Sequence, residues 1–149
     1  MLTYEDFPVG KSFPLGPRKI TAEEIIAFAE RYDPQPFHLD GESEQATAVG
    51  GLIASGWHTC SILMRMMCDA YLLNTASQGS GGLDKIKWLR PIRPDDTLTG
   101  AATVMGRRVS KSNPGLGLIN FAYTIQNQHA EPVLEVTGMG MVDTGAAPQ

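Results

Sequence analysis

Cysteine and positive charge are both scarce in this sequence, and each shortage excludes a class of protein. The chain has two cysteines, Cys60 and Cys68, and on one helix they would stand roughly 12 Å apart, beyond the reach of a disulfide bond. We expect them to be buried thiols of a protein in a reducing, cytoplasmic compartment. The formal net charge is −4, which argues against a nucleic-acid-binding surface.

Metal ligands and an apolar N-terminal run are also missing. His58 shares its predicted helix with the two cysteines, but the three fit no zinc spacing, and His129 stands alone in a predicted turn, so no metal site is expected. The opening residues MLTYEDFPVG are partly acidic, so we expect neither a signal peptide nor a membrane anchor. The 149 residues, 42% of them hydrophobic, suit a single domain with one core.

The segment from Gly50 to Leu73, GGLIASGWHTCSILMRMMCDAYLL, is the predicted core element. From Ser55 onward it contains no proline and only two charged residues, which predicts a helix of about 19 residues and a length of roughly 28 Å. One stripe of this helix is predicted to face solvent: His58, Ile62, Arg65 and Asp69. The glycines at its start let another backbone segment or a ligand approach closely, at the place where the unpaired N–H groups and the positive end of the helix dipole favour an anionic oxygen.

The other segments divide into helices before this one and strands after it. A capping box at residues 21–24 predicts a helix to about Tyr32, and residues 40–47 are predicted to form a short polar helix. Residues 74–82, NTASQGSGG, are predicted to be a flexible loop. Strands are predicted over residues 11–15, 83–89, 97–107, 119–126 and 133–142. These elements predict an α+β fold in which an antiparallel sheet surrounds a long helix, followed by a disordered tail at 144–149.

The motif Asp33-Pro34-Gln35-Pro36-Phe37-His38 is the most informative part of the chain. Its two prolines restrict the backbone, so the carboxylate of Asp33 and the imidazole of His38 are held in a preset arrangement. Their Cα atoms would be about 16 Å apart in an extended chain, so the segment must curl if the two side chains act together. The sequence leaves an alternative open, in which Asp33 caps a turn and His38 lies at a loop edge.

Three segments resemble the MaoC-like, or R-specific enoyl-CoA hydratase, family of hot-dog-fold proteins: FAERYDPQPFHLD at 28–40, GGLIASGWHT at 50–59 and WLRPIRPDDTL at 88–98. The family's hydratase motif is Asp-x-Asn-Pro-x-His, and Gln35 replaces its asparagine here. The resemblance implies a hot-dog fold, with an antiparallel β-sheet wrapped around a long central α-helix, and a homodimer or a higher homo-oligomer. It also implies a reversible addition of water to a trans-2-enoyl thioester of CoA or acyl-carrier protein, with no cofactor besides the CoA thioester substrate.

The same resemblance assigns roles to residues. Asp33 and His38 would be the catalytic dyad, and the amide of Gly56 would bind the oxyanion, with Ser55 and Gly51 in the same substrate-binding turn. Three arginines near strand ends are candidates for binding CoA phosphates, although charges that protect strand edges explain them nearly as well: Arg90, Arg93 and Arg107. Three methionines suit the core or the lining of an acyl pocket: Met64, Met66 and Met67.

Two other functions remain open from the sequence. A hot-dog thioesterase needs a carboxylate at the thioester carbonyl, and the central helix offers only Asp69, some 20 Å from the start of that helix. The second alternative is a non-catalytic acyl-CoA-binding protein, and the one specific observation in its favour is Gln35 in place of the motif asparagine. His58 follows the predicted oxyanion turn closely, but a structural role is favoured for it.

Overall fold

Five antiparallel strands form one sheet beside a long helix in the computed structural model, which describes residues 1–147. The strands are β1 (Ser12–Lys19), β2 (Ser77–Trp88), β3 (Thr97–Val109), β4 (Leu116–Gln126) and β5 (Pro132–Asp143). The helices are α1 (Ala22–Tyr32), α2 (Pro36–Leu39), α3 (Glu44–Ala48) and α4 (Gly56–Ala70). The strand order is β1-β3-β4-β5-β2, so β1 and β2 are the edges of the sheet. The α+β hot-dog prediction is confirmed.

The central helix α4 buries six residues of one face: His58, Thr59, Ile62, Leu63, Met66 and Met67. The prediction of a solvent-facing stripe is therefore wrong at His58 and Ile62, which are only 6% and 3% exposed. Its other two members, Arg65 and Asp69, are exposed and form an ion pair of 3.1 Å. The helix is also shorter than predicted, because the backbone leaves the helical region at Tyr71, where φ is −154°.

Helix α1 covers His58 at the start of α4. Its Phe28 stacks on His58 with ring centroids 4.8 Å apart, and burial lowers the pKa of His58, with Glu24 opposing that effect. Trp57 and Met64, on another side of α4, are instead exposed. The apolar residues of α4 occupy nearly its whole circumference, so their periodicity alone does not identify the side that is buried.

The predicted flexible loop at 74–82 is wrong, because Ser77 already begins the edge strand β2. Ser77 pairs with Val142 of β5 and Gly79 pairs with Met141. The pairing is irregular, with register shifts between Ser77 and Lys85, and Gly79 has a φ of +94°. A glycine-rich sequence reads as a loop by composition, but backbone hydrogen bonds along a strand edge do not require side chains.

The elements near the N-terminus agree with the sequence in kind and differ in their bounds. The capping box is confirmed, since the Glu24 amide donates to the Thr21 hydroxyl and the Thr21 amide donates to the Glu24 carboxylate, both at 3.2 Å. The first strand runs further than residues 11–15, and the short polar helix begins only at Glu44. The predicted tail at 144–149 begins with Thr144, whose hydroxyl donates to the Pro114 carbonyl at 2.6 Å, while residues 148–149 lie outside the described residues. Within residues 1–147, no helix is both long and apolar enough to cross a membrane.

Candidate active site

The segment between α1 and α4 curls so that Asp33 and His38 meet. Asp33 ends α1, and its amide donates to the Ala29 carbonyl at 2.9 Å. Pro36 then begins the single helical turn α2, where a proline costs no intrahelical hydrogen bond. This turn returns His38 towards the end of α1, and its Nε2 lies 3.2 Å from Oδ2 of Asp33. The motif therefore forms the compact pair that joint action of the two side chains requires.

One ring nitrogen of His38 is committed to the backbone. Its Nδ1 lies 2.7 Å from the carbonyl oxygen of Ile53, and a carbonyl only accepts, so Nδ1 carries a hydrogen. The amide of Ile53 in turn donates to the Phe37 carbonyl at 3.1 Å, which fastens α2 to the chain just before α4. In the neutral ring Nε2 is then a free acceptor, and in the charged ring it donates to Asp33. This arrangement leaves Nε2 as the atom that gains or loses a proton.

The carboxylate of Asp33 is held by two more side chains. The Ser55 hydroxyl donates to Oδ2 at 2.7 Å, and the side-chain amide of Gln35 donates to Oδ1 at 2.7 Å. Desolvation raises the pKa of Asp33, but the hydrogen bonds from Ser55 and Gln35 and the nearby His38 outweigh it, and the net pKa is lowered. Asp33 is therefore ionised at neutral pH. Gln35, which departs from the family motif, contacts the acid directly.

Helix α4 begins without a side-chain cap beside this pair. Ser55 occupies the N-cap position, but within the described chain its hydroxyl makes no capping bond, because it donates to Asp33. The first N–H groups of α4, starting with Gly56, have no partner within the helix. A Cβ at Gly56 would lie 2.7 to 3.1 Å from ring atoms of Trp88, and the Trp88 indole donates to the Gly56 carbonyl at 2.9 Å. Packing against Trp88 therefore requires glycine at this helix start.

A cleft of about 480 Å³ connects these parts. Asp33, Gln35, His38 and Gly56 all line it, and Trp57, Trp88 and Leu89 supply an apolar wall. Arg90 is at the same cleft and forms an ion pair of 3.0 Å with Glu131. An ionised acid, an imidazole nitrogen and unpaired helix amides thus face one space. Such a set can move a proton and stabilise an oxyanion on the same bound molecule.

Three of the residues singled out in the sequence lie apart from the dyad. The amide of Gly51 donates to the Ala46 carbonyl at 2.7 Å. Arg93 binds the Val49 carbonyl through its guanidinium and the Asp96 carboxylate through its amide. Arg107 donates to the Tyr4 carbonyl at 2.8 Å, with its guanidinium 4.5 Å from the centre of the Tyr4 ring.

These contacts give each of the three a structural partner within this chain. Gly50 and Gly51 have φ angles of +86° and +122°, and a Cβ on Gly50 would lie 3.1 Å from the Arg93 guanidinium. The glycine pair and Arg93 thus shape the turn before α4 together. Ser55 is fully buried, so its contact with the site is the hydrogen bond to Asp33.

A second cavity, of about 260 Å³, lies further along α4 on the side of β2 and β5. Its lining is almost wholly apolar and includes Cys60, Leu63, Met64 and Met67. Cys60 is one helical turn beyond Gly56, and Trp88 is close enough to affect the pKa of its thiol, which burial raises. The indole of Trp88 therefore lies where the cleft and this cavity approach each other. Met64 and Met67 line the cavity, and both Met66 and Met67 belong to the hydrophobic core.

Two parts of this geometry were not found from the sequence. The sequence indicates Trp88 only as part of a segment that resembles the family, without a contact to Gly56. The resemblance places Ser55 in the substrate-binding turn, and the structure adds that its hydroxyl donates to Asp33. Both contacts join positions more than 20 residues apart, and nothing in the local pattern marks such pairs. Across residues 1–147 no three His, Cys, Asp or Glu side chains cluster as metal ligands would.

Comparison with known proteins places the chain in a family. The model of the MaoC like domain matches residues 7–118. The crystal structure of a MaoC-like dehydratase from Rhodospirillum rubrum is 36% identical, with a TM-score of 0.88, and the match covers 99% of this chain and all of that one. The unliganded R-hydratase PhaJ1 from Pseudomonas aeruginosa shares the fold at 19% identity, with a TM-score of 0.73 over 94% of this chain and 84% of that one.

A relative found by sequence also matches most of this chain. The uncharacterized protein YdeM of Bacillus subtilis is 24% identical over 131 residues, which are 88% of this chain and 92% of that protein. The family model spans the motif at residues 33–38, the start of α4 and the Trp88 segment. The chain belongs to the MaoC-like domain family.

Proposed function

We propose that this protein is an (R)-specific enoyl-CoA hydratase, which adds water reversibly to a trans-2-enoyl thioester of CoA or of acyl-carrier protein. The observation that carries the proposal is the meeting of the Asp33–His38 pair and the uncapped start of α4 in one cleft. Similar proteins support the reaction class, since the Rhodospirillum rubrum protein is named a dehydratase. Proteins of the same fold include R-hydratases from Pseudomonas aeruginosa and A. caviae.

In the proposed reaction a single water supplies both groups that are added. The water is held between the ionised carboxylate of Asp33 and Nε2 of His38. As its oxygen bonds to C3 of the enoyl group, one of its protons passes to Nε2, and Asp33 stabilises the imidazolium that forms. The proton then moves from Nε2 to C2, so the double bond is lost and the dyad is restored. Dehydration is the same path in reverse.

In this proposal the negative charge of the intermediate is stabilised at the start of α4. When water adds to C3, charge develops on the thioester oxygen as an enolate. The Gly56 amide, at the positive end of the helix dipole, is proposed to donate to that oxygen. The Trp88 bond to the Gly56 carbonyl fixes the orientation of the adjoining peptide. The start of α4 is thus held in place before substrate binds, which is the condition for electrostatic stabilisation of a transition state.

The rest of the substrate has proposed positions on either side of the dyad. The apolar cavity along α4 suits the acyl chain, with Met64 and Met67 in its wall. Arg90 is the arginine proposed to contact the CoA phosphates, because it is half exposed and lies at the cleft. Arg93 and Arg107 take structural roles in this proposal, since the guanidinium group of each donates to a backbone carbonyl of this chain.

A second copy of the chain is the proposed partner. β2 is a long edge strand with most of its residues exposed, and such an edge is usually covered or paired. Five exposed apolar side chains lie on α4 and along or just after β2, and each borders either the cleft or the apolar cavity. We call them the apolar strip: Trp57, Met64, Leu83, Trp88 and Leu89. A dimer formed over this surface would cover the edge and the apolar strip together.

The experiment that tests the proposal follows two signals at once. Purified protein is incubated with trans-2-enoyl-CoAs of short, medium and long chain length. Hydration removes the absorbance of the conjugated thioester and releases no free thiol, whereas a thioesterase releases CoA. Loss of absorbance without thiol is expected for at least one chain length. Release of thiol at the same rate as the loss of absorbance would show that the protein is a thioesterase. The absence of any reaction at every chain length would support a non-catalytic binding protein.

The thioesterase alternative gains nothing from the position of Asp69. Its carboxylate is paired with Arg65 at 3.1 Å. It lies at a separate small pocket with Pro14, Gly16 and Arg18, near the end of α4 opposite to Gly56. A carboxylate there cannot reach a thioester whose carbonyl is bound at the start of the helix.

A further inference from the structure

Two tyrosines lie together in the wall of the apolar cavity beside α4. Tyr71 follows the end of α4 and Tyr123 comes from β4, and both line the cavity. They are 3% and 6% exposed. Phe121 lies between their rings, with centroids 5.8 Å from Tyr71 and 5.4 Å from Tyr123 in stacked arrangements. We call Tyr71 and Tyr123 the tyrosine pair.

The hydroxyl group of Tyr71 is not satisfied by the protein. Within residues 1–147 the buried Tyr71 hydroxyl has no partner in hydrogen-bonding geometry. Tyr123 is the one side chain near enough to act on the Tyr71 hydroxyl as a hydrogen-bonding group, and Tyr71 is the one near enough to act on the Tyr123 hydroxyl. A bond between the two hydroxyls would use one of their two hydrogens, and the other hydrogen would still lack an acceptor. Buried donors are normally paired, so a missing acceptor at a cavity points to a ligand.

The chemistry of that acceptor follows from the surroundings. Burial, together with the neighbouring Tyr123, raises the pKa of Tyr71 far above its usual range, and burial raises the pKa of Tyr123 to about 12. Both therefore remain O–H donors at any physiological pH. None of the described residues that line the cavity is charged, so a carboxylate there would have no cation to offset its desolvation. Three other polar side chains line the cavity, and each has a partner in the protein. Thr75 donates its hydroxyl to the Tyr71 carbonyl at 2.6 Å, Ser80 donates to the Met139 carbonyl, and the Ser77 hydroxyl accepts from the Gly79 amide.

We infer that the cavity takes an aliphatic chain that carries a neutral oxygen, a ketone, hydroxyl or ether, which accepts a hydrogen bond from the tyrosine pair. The inference rests on the proposed function for the identity of that chain, which is then the acyl group of the thioester substrate. A plain hydrocarbon fills the apolar part and leaves a hydroxyl hydrogen unpaired. An oxygenated chain fills the same space and satisfies it. The tyrosine pair therefore determines specificity within the acyl group, well away from the dyad.

The test measures binding to the cavity without turnover. Linear alkanes, and ketones and alcohols of the same chain length with the oxygen at successive carbons, are compared by ligand-detected NMR with the full-length protein. For at least one oxygen position, binding about fivefold tighter than that of the alkane is expected, the contribution of one net hydrogen bond. The variant Y71F/Y123F should bind both classes equally. Y4F is the matched control, because Tyr4 is buried but does not line the cavity, and it should keep the preference.

The outcomes separate this inference from the proposed function. Equal binding of alkanes and oxygenated chains by the wild-type protein would overturn it, since bound water would then satisfy the pair. A preference that survives in a folded Y71F/Y123F variant would overturn it as well. Hydration of unsubstituted enoyl-CoAs is measured in parallel on the same samples. If hydration is present and the preference absent, only this inference fails; if the preference is present and no enoyl thioester reacts, only the proposed function fails.

Discussion

The Ser55 hydroxyl lies 2.7 Å from Oδ2 of Asp33, across 22 positions of sequence. Serine at an N-cap ordinarily binds an amide of its own helix, and here that bond is absent from the described structure. The same hydroxyl thus holds the acid in place and leaves the first amides of α4 unoccupied. The two halves of the proposed chemistry, proton transfer and oxyanion binding, depend on one side chain.

Replacing Ser55 by alanine should therefore change Asp33 in a defined direction. The Ser55 hydrogen bond lowers the pKa of Asp33, so Ser55→Ala should raise that pKa, which carbon NMR of the carboxyl group measures directly. Hydratase activity should fall about tenfold or more, since a hydrogen bond to a charged group is worth ~1.5–3 kcal/mol. Ser61→Ala is the control, because the Ser61 hydroxyl bonds the Trp57 carbonyl on the exposed side of the same helix. An unchanged Asp33 pKa would disprove this coupling.

The dyad variants should lose activity together. Asp33→Asn and His38→Ala should each lower kcat by about 10²–10⁴-fold. Because both groups serve one transition state, the double variant should lose scarcely more than either single variant. Melting temperature and steady-state kinetics are measured for all three. Losses that add up and follow the melting temperature would instead assign Asp33 and His38 a structural role.

How far the sequence predicts this molecule depends on the range of each interaction. The capping box of α1 and the Asp33–His38 motif are local, and their geometry follows from capping chemistry and proline restriction. The alternation of β4 is local as well, and Ile119, Phe121 and Ile125 are buried as it predicts. These features are readable because neighbours in sequence determine them.

The failures come from interactions between distant segments. The buried side of α4 depends on Phe28 of α1, and the strand character of residues 77–82 depends on an open edge of β5. Arg93 and Arg107 also donate to the backbone carbonyls of Val49 and Tyr4, contacts that residue type does not indicate, while a CoA-binding role for these arginines stays a prediction. Composition favours phosphate binding for all three arginines, and only tertiary contacts distinguish Arg90 from the others.

The arginines should accordingly respond differently to substitution. Arg90→Glu is expected to raise KM for a CoA thioester several-fold while leaving KM for a short pantetheine thioester nearly unchanged, since only the former has the CoA phosphates. Arg107→Ala should lower the melting temperature, through loss of its contacts with Tyr4, with little effect on either KM. Steady-state kinetics on both thioesters, with thermal unfolding, provides the comparison. Equal effects of Arg90→Glu on both substrates would remove Arg90 from the CoA site.

Self-association should depend on the exposed strip beside β2. Solution scattering at micromolar concentration is expected to give at least twice the chain mass of 16.1 kDa. Met64→Lys places a charge in this strip and should shift the protein towards monomer. Met105→Lys is the matched control, because Met105 is 61% exposed on β3 and does not border either cavity. A wild-type monomer would contradict the proposed partner, and dissociation by both variants would contradict the proposed surface.

The close approach of Gly56 to Trp88 gives the sharpest test of the helix start. Gly56→Ala should destabilise the fold, because the added methyl group overlaps the indole at 2.7 Å, and overpacking of this kind costs roughly 1–3 kcal/mol. Trp88→Ala removes the obstacle, so the double variant Gly56→Ala with Trp88→Ala should be less destabilised than the two single effects added together. Chemical unfolding of the four proteins measures this coupling free energy directly.

The same cycle examines the oxyanion role. Alanine keeps the backbone N–H, so a double variant that regains stability should also regain part of the hydratase activity lost in Gly56→Ala. The loss of the indole bond to the Gly56 carbonyl should still keep its kcat below that of the wild-type protein. Trp88→Phe preserves a ring against Gly56 without the N–H donor and isolates that bond. If Trp88→Phe leaves kcat unchanged, the indole only packs against the turn and does not orient the amide.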